Sequence, residues 1–336
     1  MFNQALLSSV PAQGTAIAAR WDSLYDFLLG LSAFFFLLVI GAMLYFAITY
    51  RHRPNRKTTY LTGSHLLEAI WIAVPTLLLM IIFGWGYSIY HSMTQAPSDA
   101  YEVRVVGKQW LWTFQYENGR TSVNEVFVPV NRPVKLVMTS DDVLHGFYIP
   151  NFRIKQDVVP GMYSSLWFTA TVPGKHQVFC TEYCGTSHSG MLAKVVVLDD
   201  AQWKAWNLNR PIGDVPDVGL EGLSEGPSGK VPSVQDSTQG SLVDQGKVVY
   251  EKKGCVACHS VDGTTKVGPS HKGLFGKKEE LADGRTVVVD ENYIRNHIEN
   301  PQTNTVKGFN PVMPTFKGLI SETEMNALIA YIKSLK

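Results

Sequence analysis

Two short stretches of the sequence concentrate soft, metal-seeking side chains. Cys180-Thr-Glu-Tyr-Cys184-Gly-Thr-Ser-His188-Ser-Gly-Met191 places two thiols, an imidazole and a thioether within twelve residues. His145, far upstream at the end of a strand, is a further imidazole for the same set. Thioether ligation favours copper over zinc. A structural Cys₂His₂ zinc site is the competing reading, and Met191 argues against it because Met is not a usual zinc ligand. A Cys180–Cys184 disulfide is the other, and it leaves the His and Met spacing unexplained. The second stretch, Cys255-Val-Ala-Cys258-His259, is a C-x-x-C-H pattern, the attachment signature of c-type haem. Two thiols on one helical turn form two thioether bonds, and the adjacent His supplies an axial nitrogen. A thioredoxin-like redox pair is the alternative, but it does not require His259 and expects a βαβ context.

The second axial ligand to such a haem should come from downstream. Met313 stands in a proline-stiffened loop, Asn310-Pro-Val-Met313-Pro-Thr-Phe, and Met/His ligation raises the haem potential. Met325 is its rival. It falls in a helix over 321–335 that opens with the capping box Ser321-x-x-Glu324. There it shares an apolar face with Leu328, Ile329 and Ile332, so it reads as core. His271 and His297 remain alternative ligands.

These groups need scaffolds. Over 101–198 the pattern is one of short strands, around 102–106, 133–139, 164–171 and 191–198, punctuated by Gly and Pro. The last is the most continuously apolar. Strands at this spacing without intervening helices predict an all-β sandwich or barrel, at 92–206. Residues 207–240, rich in Gly, Pro, Ser and Asp, read as a flexible linker. A compact unit over 241–336 follows, small enough that a covalent haem should complete its core.

Ahead of these lie two runs, 27–50 and 69–90, without a charged residue. Each is long enough to cross a bilayer as a helix, which takes roughly 20 residues. The first is too long for a signal-peptide core and lacks a basic flank before it. The expectation is an outer segment 1–23 and a membrane hairpin 24–91. Arg51, Arg53, Arg56 and Lys57 fill its loop. Basic short loops stay in the cytoplasm, which places both termini, and everything after about residue 91, outside. Pro75 is tolerable in a membrane helix. Glu68 falls at the cytoplasmic end and by itself reads as a solvated acid at headgroup level. The formal net charge of +1 offers no field for nucleic acid.

His145 together with Cys180-x-Glu182-x-Cys184-x-x-x-His188-x-x-Met191 resembles the dinuclear copper A motif of cytochrome c oxidase subunit II, over roughly residues 20 to 200. Residues 241–336, with Gly268-Pro269 before Gly273-Leu-Phe, resemble class I cytochrome c. The resemblance implies three folds: a two-helix transmembrane hairpin, an all-β cupredoxin-like Greek-key barrel and an all-α cytochrome c domain. It implies Cys180 and Cys184 as bridges between two coppers and His145 and His188 as terminal ligands. Met191 and the Glu182 carbonyl become weak axial ligands, with the Glu182 side chain helping to hold magnesium against subunit I. Trp110, in Gly107-Lys-Gln-Trp-Leu-Trp112, takes the position where electrons come in; without the resemblance both Trp read equally well as barrel core. Asp157 lies in a family-like stretch, and Glu68 matches the glutamate at the mouth of a proton channel. His52, His65, His91 and His176 match no ligand position and read as surface or interface.

The implied function is electron intake for an A-type haem-copper terminal oxidase coupled to proton translocation. The path runs from an external donor through haem c and copper A to haem in subunit I, which reduces oxygen. Implied partners are subunits I and III, membrane lipid, and a soluble or membrane-bound cytochrome c or cytochrome bc-type complex as donor. The implied location is the inner cell membrane, multi-pass, with both cofactor domains periplasmic. Two other classes carry the same features: the corresponding subunit of a nitric-oxide-reducing complex, and a stand-alone membrane-tethered electron carrier or copper-delivery protein.

Overall fold

The computed structural model describes residues 10–54, 57, 60, 62–218 and 241–336. Arg56 of the basic loop, and the linker from 219 to 240, lie outside the described residues. The chain forms two compact units, one of residues Ala16–Gln95 and one of Met1–Thr15 with Ala96–Lys336.

The first unit is a helix pair, α1 (Ala16–Thr49) and α2 (His65–Thr94), of 34 and 30 residues. At about 1.5 Å per residue both exceed the roughly 30 Å of a hydrocarbon core. Neither helix has a polar face, and large apolar side chains such as Phe36, Leu37, Ile72 and Leu77 are exposed along them. Such all-round apolarity suits lipid rather than water. α1 begins at Ala16, earlier than the boundary read at residue 24. Charged residues do not end a helix at the edge of its apolar run, and Arg20 bonds to Ser88 and Ser92 of α2, at 3.3 Å each. Ser64 caps α2, its hydroxyl accepting from the Leu67 amide. α2 continues through Pro75, and the next residue, Thr76, donates its hydroxyl back to the Ile72 carbonyl at 2.7 Å.

In the second unit, residues 101–198 form ten strands. In order they are β1 (Tyr101–Lys108), β2 (Leu111–Tyr116), β3 (Thr121–Val123), β4 (Glu125–Pro129) and β5 (Pro133–Ser140), then β6 (His145–Ile149), β7 (Ile154–Val158), β8 (Ser164–Thr169), β9 (Gly174–Cys180) and β10 (Leu192–Leu198). They make two five-stranded sheets, β3-β2-β1-β5-β8 and β4-β10-β9-β6-β7. β1 runs parallel to β5 and β4 to β10; the other pairs are antiparallel. β5 and β9 alternate buried and half-buried residues along their length, as one-sided strands should. The barrel interior is filled by Trp112, Phe114, Leu136, Phe147 and Phe168. Each such side chain stabilises by about 1.5–3 kcal/mol when fully buried. Trp112 and Phe147 meet edge to face at 5.0 Å.

β10 is buried on both faces because a second layer covers it. Helix α3 (Asp200–Asn207) lays Trp203 and Trp206 over it, and Ile212 and Val215 of the following segment complete the cluster. The segment is tied down where Lys175 N–H donates to the Pro216 carbonyl and Val218 N–H to that of Lys175. The linker read over 207–240 is therefore ordered on the barrel up to residue 218. His176 also departs from its surface reading. It is 0% exposed, packed against Phe152, and bonded through Nε2 to the Val172 carbonyl, because β9 points it inward.

Among the described residues, 241–336 form four α-helices, α4 (Leu242–Lys252), α5 (Cys255–Cys258), α6 (Glu291–Glu299) and α7 (Glu322–Ser334). A small two-stranded ribbon, β11 (Lys278–Glu280) and β12 (Thr286–Val288), joins α5 to α6. α4 crosses α7 at Gly246, where a Cβ would lie 1.9 Å from the Ala327 carbonyl oxygen. Capping boxes at Ser241/Asp244 and Ser321/Glu324 start the two helices. Tyr250, Ile294, Ile298, Leu328 and Ile332 make the core.

Candidate metal and haem sites

The soft side chains converge at one end of the barrel. His145 opens β6, Cys180 ends β9, and the loop from 181 to 191 brings the rest before β10 begins. The two sulfurs are 3.7 Å apart, both free thiols, with room for a metal rather than a bond between them. His145, Cys180 and Cys184 present donor atoms within 4.8 Å of one another. His145 Nδ1 is 3.9 Å from the Cys180 sulfur, and His188 Nδ1 is 3.5 Å from that of Cys184. The Met191 sulfur is 3.8 Å from Cys184, and the Glu182 carbonyl is 3.4 Å from Cys180. Six donors converge, whereas structural zinc takes four. An imidazole at each end of a thiol pair, with a thioether and a carbonyl beside it, is a soft donor set that fits copper.

The shell around these donors is set by hydrogen bonds. Asp142 Oδ1 is 2.9 Å from His145 Nε2, which leaves Nδ1 to face the sulfurs. Asp142 in turn accepts from the amides of Gln109 and Val143. Trp110, 7% exposed, donates from Nε1 to the Cys184 carbonyl at 3.1 Å, and the Gln109 side chain donates to the same oxygen. The Gln109-Trp110 pair thus ties both sides of the cluster. The thiols lie within hydrogen-bonding distance of each other, and that bond lowers Cys180, against the opposing effect of burial, and raises Cys184. A metal displaces the thiol protons on binding.

α5 puts Cys255 and Cys258 on one helical turn. Burial pushes Cys255 up to about 12 and Cys258 up to about 11. They are neutral thiols, unlike the depressed thiolate of a redox-active C-x-x-C pair. His259, 8% exposed, donates Nδ1–H to the Pro269 carbonyl at 2.8 Å, which frees Nε2 for iron. Gly268 lets its ring sit there, since a Cβ would come within 2.5 Å of it. Beside this ring opens a crevice of about 560 Å³ lined by Cys255, His259, Met313, Ile298 and Leu328. A second opening of about 450 Å³ also has Cys258, His259 and Met313 in its wall. Thiols, imidazole and thioether around an apolar slot fit a covalent haem. Met325 lines neither opening and is 2% exposed in the core. His271 stacks on the His259 ring at 4.2 Å, beside it rather than across the crevice. His297 lines both openings, and burial draws its imidazole down to about 4.

The other residues singled out lie apart from these donors. Glu68 is in the first turn of α2, 3.2 Å from His65 Nδ1. The Glu182 carboxylate and Asp157 both pair with Lys155, at 2.5 and 3.3 Å. Sequence reasoning missed Asp142 and Ser187, and it took Pro269 only as part of the family-like Gly268-Pro269 pair without its bond to His259. Asp142 left a signal of its own, as an acid three residues before a candidate imidazole.

The family profile for cytochrome c oxidase subunit II, transmembrane domain, matches residues 6–89, that for its periplasmic domain matches 119–198, and that for cytochrome c matches 243–336. Cytochrome c oxidase subunit 2 of Alkalihalophilus pseudofirmus is 33% identical over 310 residues, 89% of this chain and 82% of that protein. The alternative cytochrome c oxidase subunit 2 of Bradyrhizobium diazoefficiens is 30% identical over 227 residues, 57% and 82% of the two chains. The crystal structure of the periplasmic domain of cytochrome oxidase subunit II from Bradyrhizobium japonicum is 28% identical, with a TM-score of 0.33, over 34% of this chain and 96% of that one. With copper A implied by the first of its outer domains and haem c by the second, the chain belongs to the cytochrome c oxidase subunit II family, an electron-transfer component of a haem-copper oxidase.

Proposed function

We propose that this chain takes electrons from an external donor at haem c and passes them through copper A to haem in subunit I, where oxygen is reduced. One observation carries the order. The C-x-x-C-H loop lies directly on the copper ligand loop, with Ser187 bonded to Ala257 at 2.7 Å. Cys255 and Cys258 would hold the haem covalently, with His259 and Met313 on its iron. Cys180 and Cys184 would bridge the coppers, completed by His145, His188, Met191 and the Glu182 carbonyl. Copper A supplies one-electron storage shared over two metals. The chain's part is to hold its ligands nearly still as the charge changes, which the hydrogen bonds from Asp142, Gln109 and Trp110 support.

The rest of the reading concerns setting. Arg51, Arg53 and Lys57 favour a cytoplasmic hairpin loop, which puts both cofactor domains on the periplasmic side. Subunits I and III are the membrane partners, and a cytochrome c or cytochrome bc-type complex is the donor. Magnesium shared with subunit I would require Glu182 to exchange Lys155 for the metal. Trp110 couples to copper through the Cys184 carbonyl. Glu68 would feed protons to subunit I. An optical spectrum of the complex purified from native membranes tests the whole: haem a and haem c bands together support it. A lone chain without haem a, or turnover of nitric oxide but not oxygen, would overturn it.

A further inference from the structure

The two cofactor domains meet on their cofactor loops. Ser187, 9% exposed, donates its hydroxyl to the Ala257 carbonyl at 2.7 Å. Ala257 stands between the two haem-binding cysteines, and its carbonyl carbon is bonded to the Cys258 nitrogen. Ser187 is bonded in turn to the copper ligand His188. One residue before Met191, Gly190 comes so near that a Cβ would stand 3.4 Å from the Ala257 methyl.

Around this point the contact is broader. Leu111 and Val123 of the barrel join the apolar cluster that contains Val249 and Tyr250 of the haem domain. Gly254 lies over the Asn124 side chain, and Lys252 pairs with Glu125 at 3.5 Å. The Lys252 side chain is half exposed, and such surface pairs are worth about 0–1 kcal/mol. Docking therefore rests on the apolar contact, and the buried Ser187 bond is free to serve another purpose.

The geometry points to Ser187 as the bridge that couples haem c electronically to copper A. The inference rests on the function proposed above. From Cys258 the path runs through the Ala257 carbonyl, across one hydrogen bond into Ser187, and along the chain to His188; every other link is covalent. The Trp110 route is poorer for an electron coming from this haem. Its indole reaches the Cys184 carbonyl by a hydrogen bond, but its stretch meets the haem domain through the apolar contact of Leu111, which adds a second non-bonded step. In the transfer the haem iron goes from ferrous to ferric and the copper pair is reduced by one electron. No bond forms or breaks, and the Ser187 hydroxyl keeps its proton.

The test uses the holo-complex with Ser187→Ala and Ser187→Thr. Haem c is reduced by a light-triggered external reductant, and its reoxidation is followed beside the near-infrared band of copper A. In the alanine variant we expect a transfer several-fold slower, with both spectra and both midpoint potentials unchanged. The slow rate should be insensitive to added glycerol, and hydrogen exchange of residues 254–259 should match wild type. The threonine variant, which keeps the hydroxyl, should recover the rate. Wild-type transfer in the alanine variant overturns the bridge, as does a threonine variant as slow as alanine. A slowed rate that falls further with viscosity, with faster exchange at 254–259, also overturns it, because Ser187 would then be a docking contact. A wild-type complex lacking the copper band would instead overturn the function on which the inference rests.

Discussion

The copper ligands and the haem ligands are held in different ways. At the barrel end all six donors stand within touching distance, and the ends of β6 and β9 together with three hydrogen-bonded neighbours keep them there. In the helical domain His259 is set by Pro269 and Gly268, while Met313 stands on an irregular loop, its carbonyl accepting from Gln302, and both line a crevice of about 560 Å³. The barrel fills its interior with its own side chains, such as Trp112 and Phe147, so it can present its donors without the metal. A small helical domain cannot fill its own centre, and the haem must be part of its core. The copper site is thus built to resist rearrangement, and the haem site is built around its cofactor.

The largest expected effect separates the two outright. Cys184→Ser removes a sulfur proposed to bridge the coppers, and the mixed-valence copper spectrum should vanish while the c-type haem band stays; a copper signal that survives breaks the bridge assignment. Met313→His tests the looser side. Replacement of the Met–iron charge-transfer band is expected, and its persistence would return the ligand role to another residue. Next comes the support around the copper donors. Asp142→Asn keeps the shape but loses the charge behind His145, and copper affinity should fall by about 10–100-fold in a competition titration. Unchanged affinity would mean that the strands alone orient the ring.

How far the sequence revealed this contrast follows from chemistry. Cys255, Cys258 and His259 were legible because thioether attachment needs that spacing and nothing else. The copper set was legible as soft donors within twelve residues with His145 upstream, and its dinuclear reading came from the resemblance; spacing alone does not show that His145 and His188 approach opposite ends of the thiol pair. The membrane pair was legible from the absence of charge, though α1 ran past Arg20, whose hydrogen bonds to α2 come from far along the chain. The segment up to residue 218 was read as linker with the Gly-, Pro-, Ser- and Asp-rich stretch that follows it; Val215 and Ile212 bind it to the barrel through contacts that composition does not encode. Ser187 acts on Ala257 seventy residues away, a contact between distant segments that no local pattern announces.

Smaller effects test whether the haem domain depends on close helix packing as well as on its cofactor. Gly246→Ala adds a methyl where the Ala327 carbonyl oxygen would be 1.9 Å away. Helix propensity favours alanine by about 1 kcal/mol. Displacing backbone costs more, about 1–3 kcal/mol for ordinary overpacking. A net loss confined to the haem domain is expected in calorimetry, with the copper domain melting as before. A neutral or stabilised variant would show that α4 and α7 can slide apart.

The smallest effect is at the start of α7. Ser321→Ala removes the cap from Glu324 N–H and should cost about 0.5–2 kcal/mol. It should also change the pH response. Burial raises the Glu324 carboxyl, but the Ser321 amide, the Lys253 charge and the Ser321 hydroxyl outweigh it, so the folded value lies below the ordinary 4.5. A depressed carboxyl contributes stability that is fully present above its unfolded value and is lost as pH falls through the folded one. The haem domain of the wild type should therefore weaken as pH drops below about 4.5, and the alanine variant should show a shallower fall. Melting temperatures measured from neutral to acid pH on both proteins decide it: parallel curves would remove Glu324 from the account and leave the cap as a hydrogen bond alone.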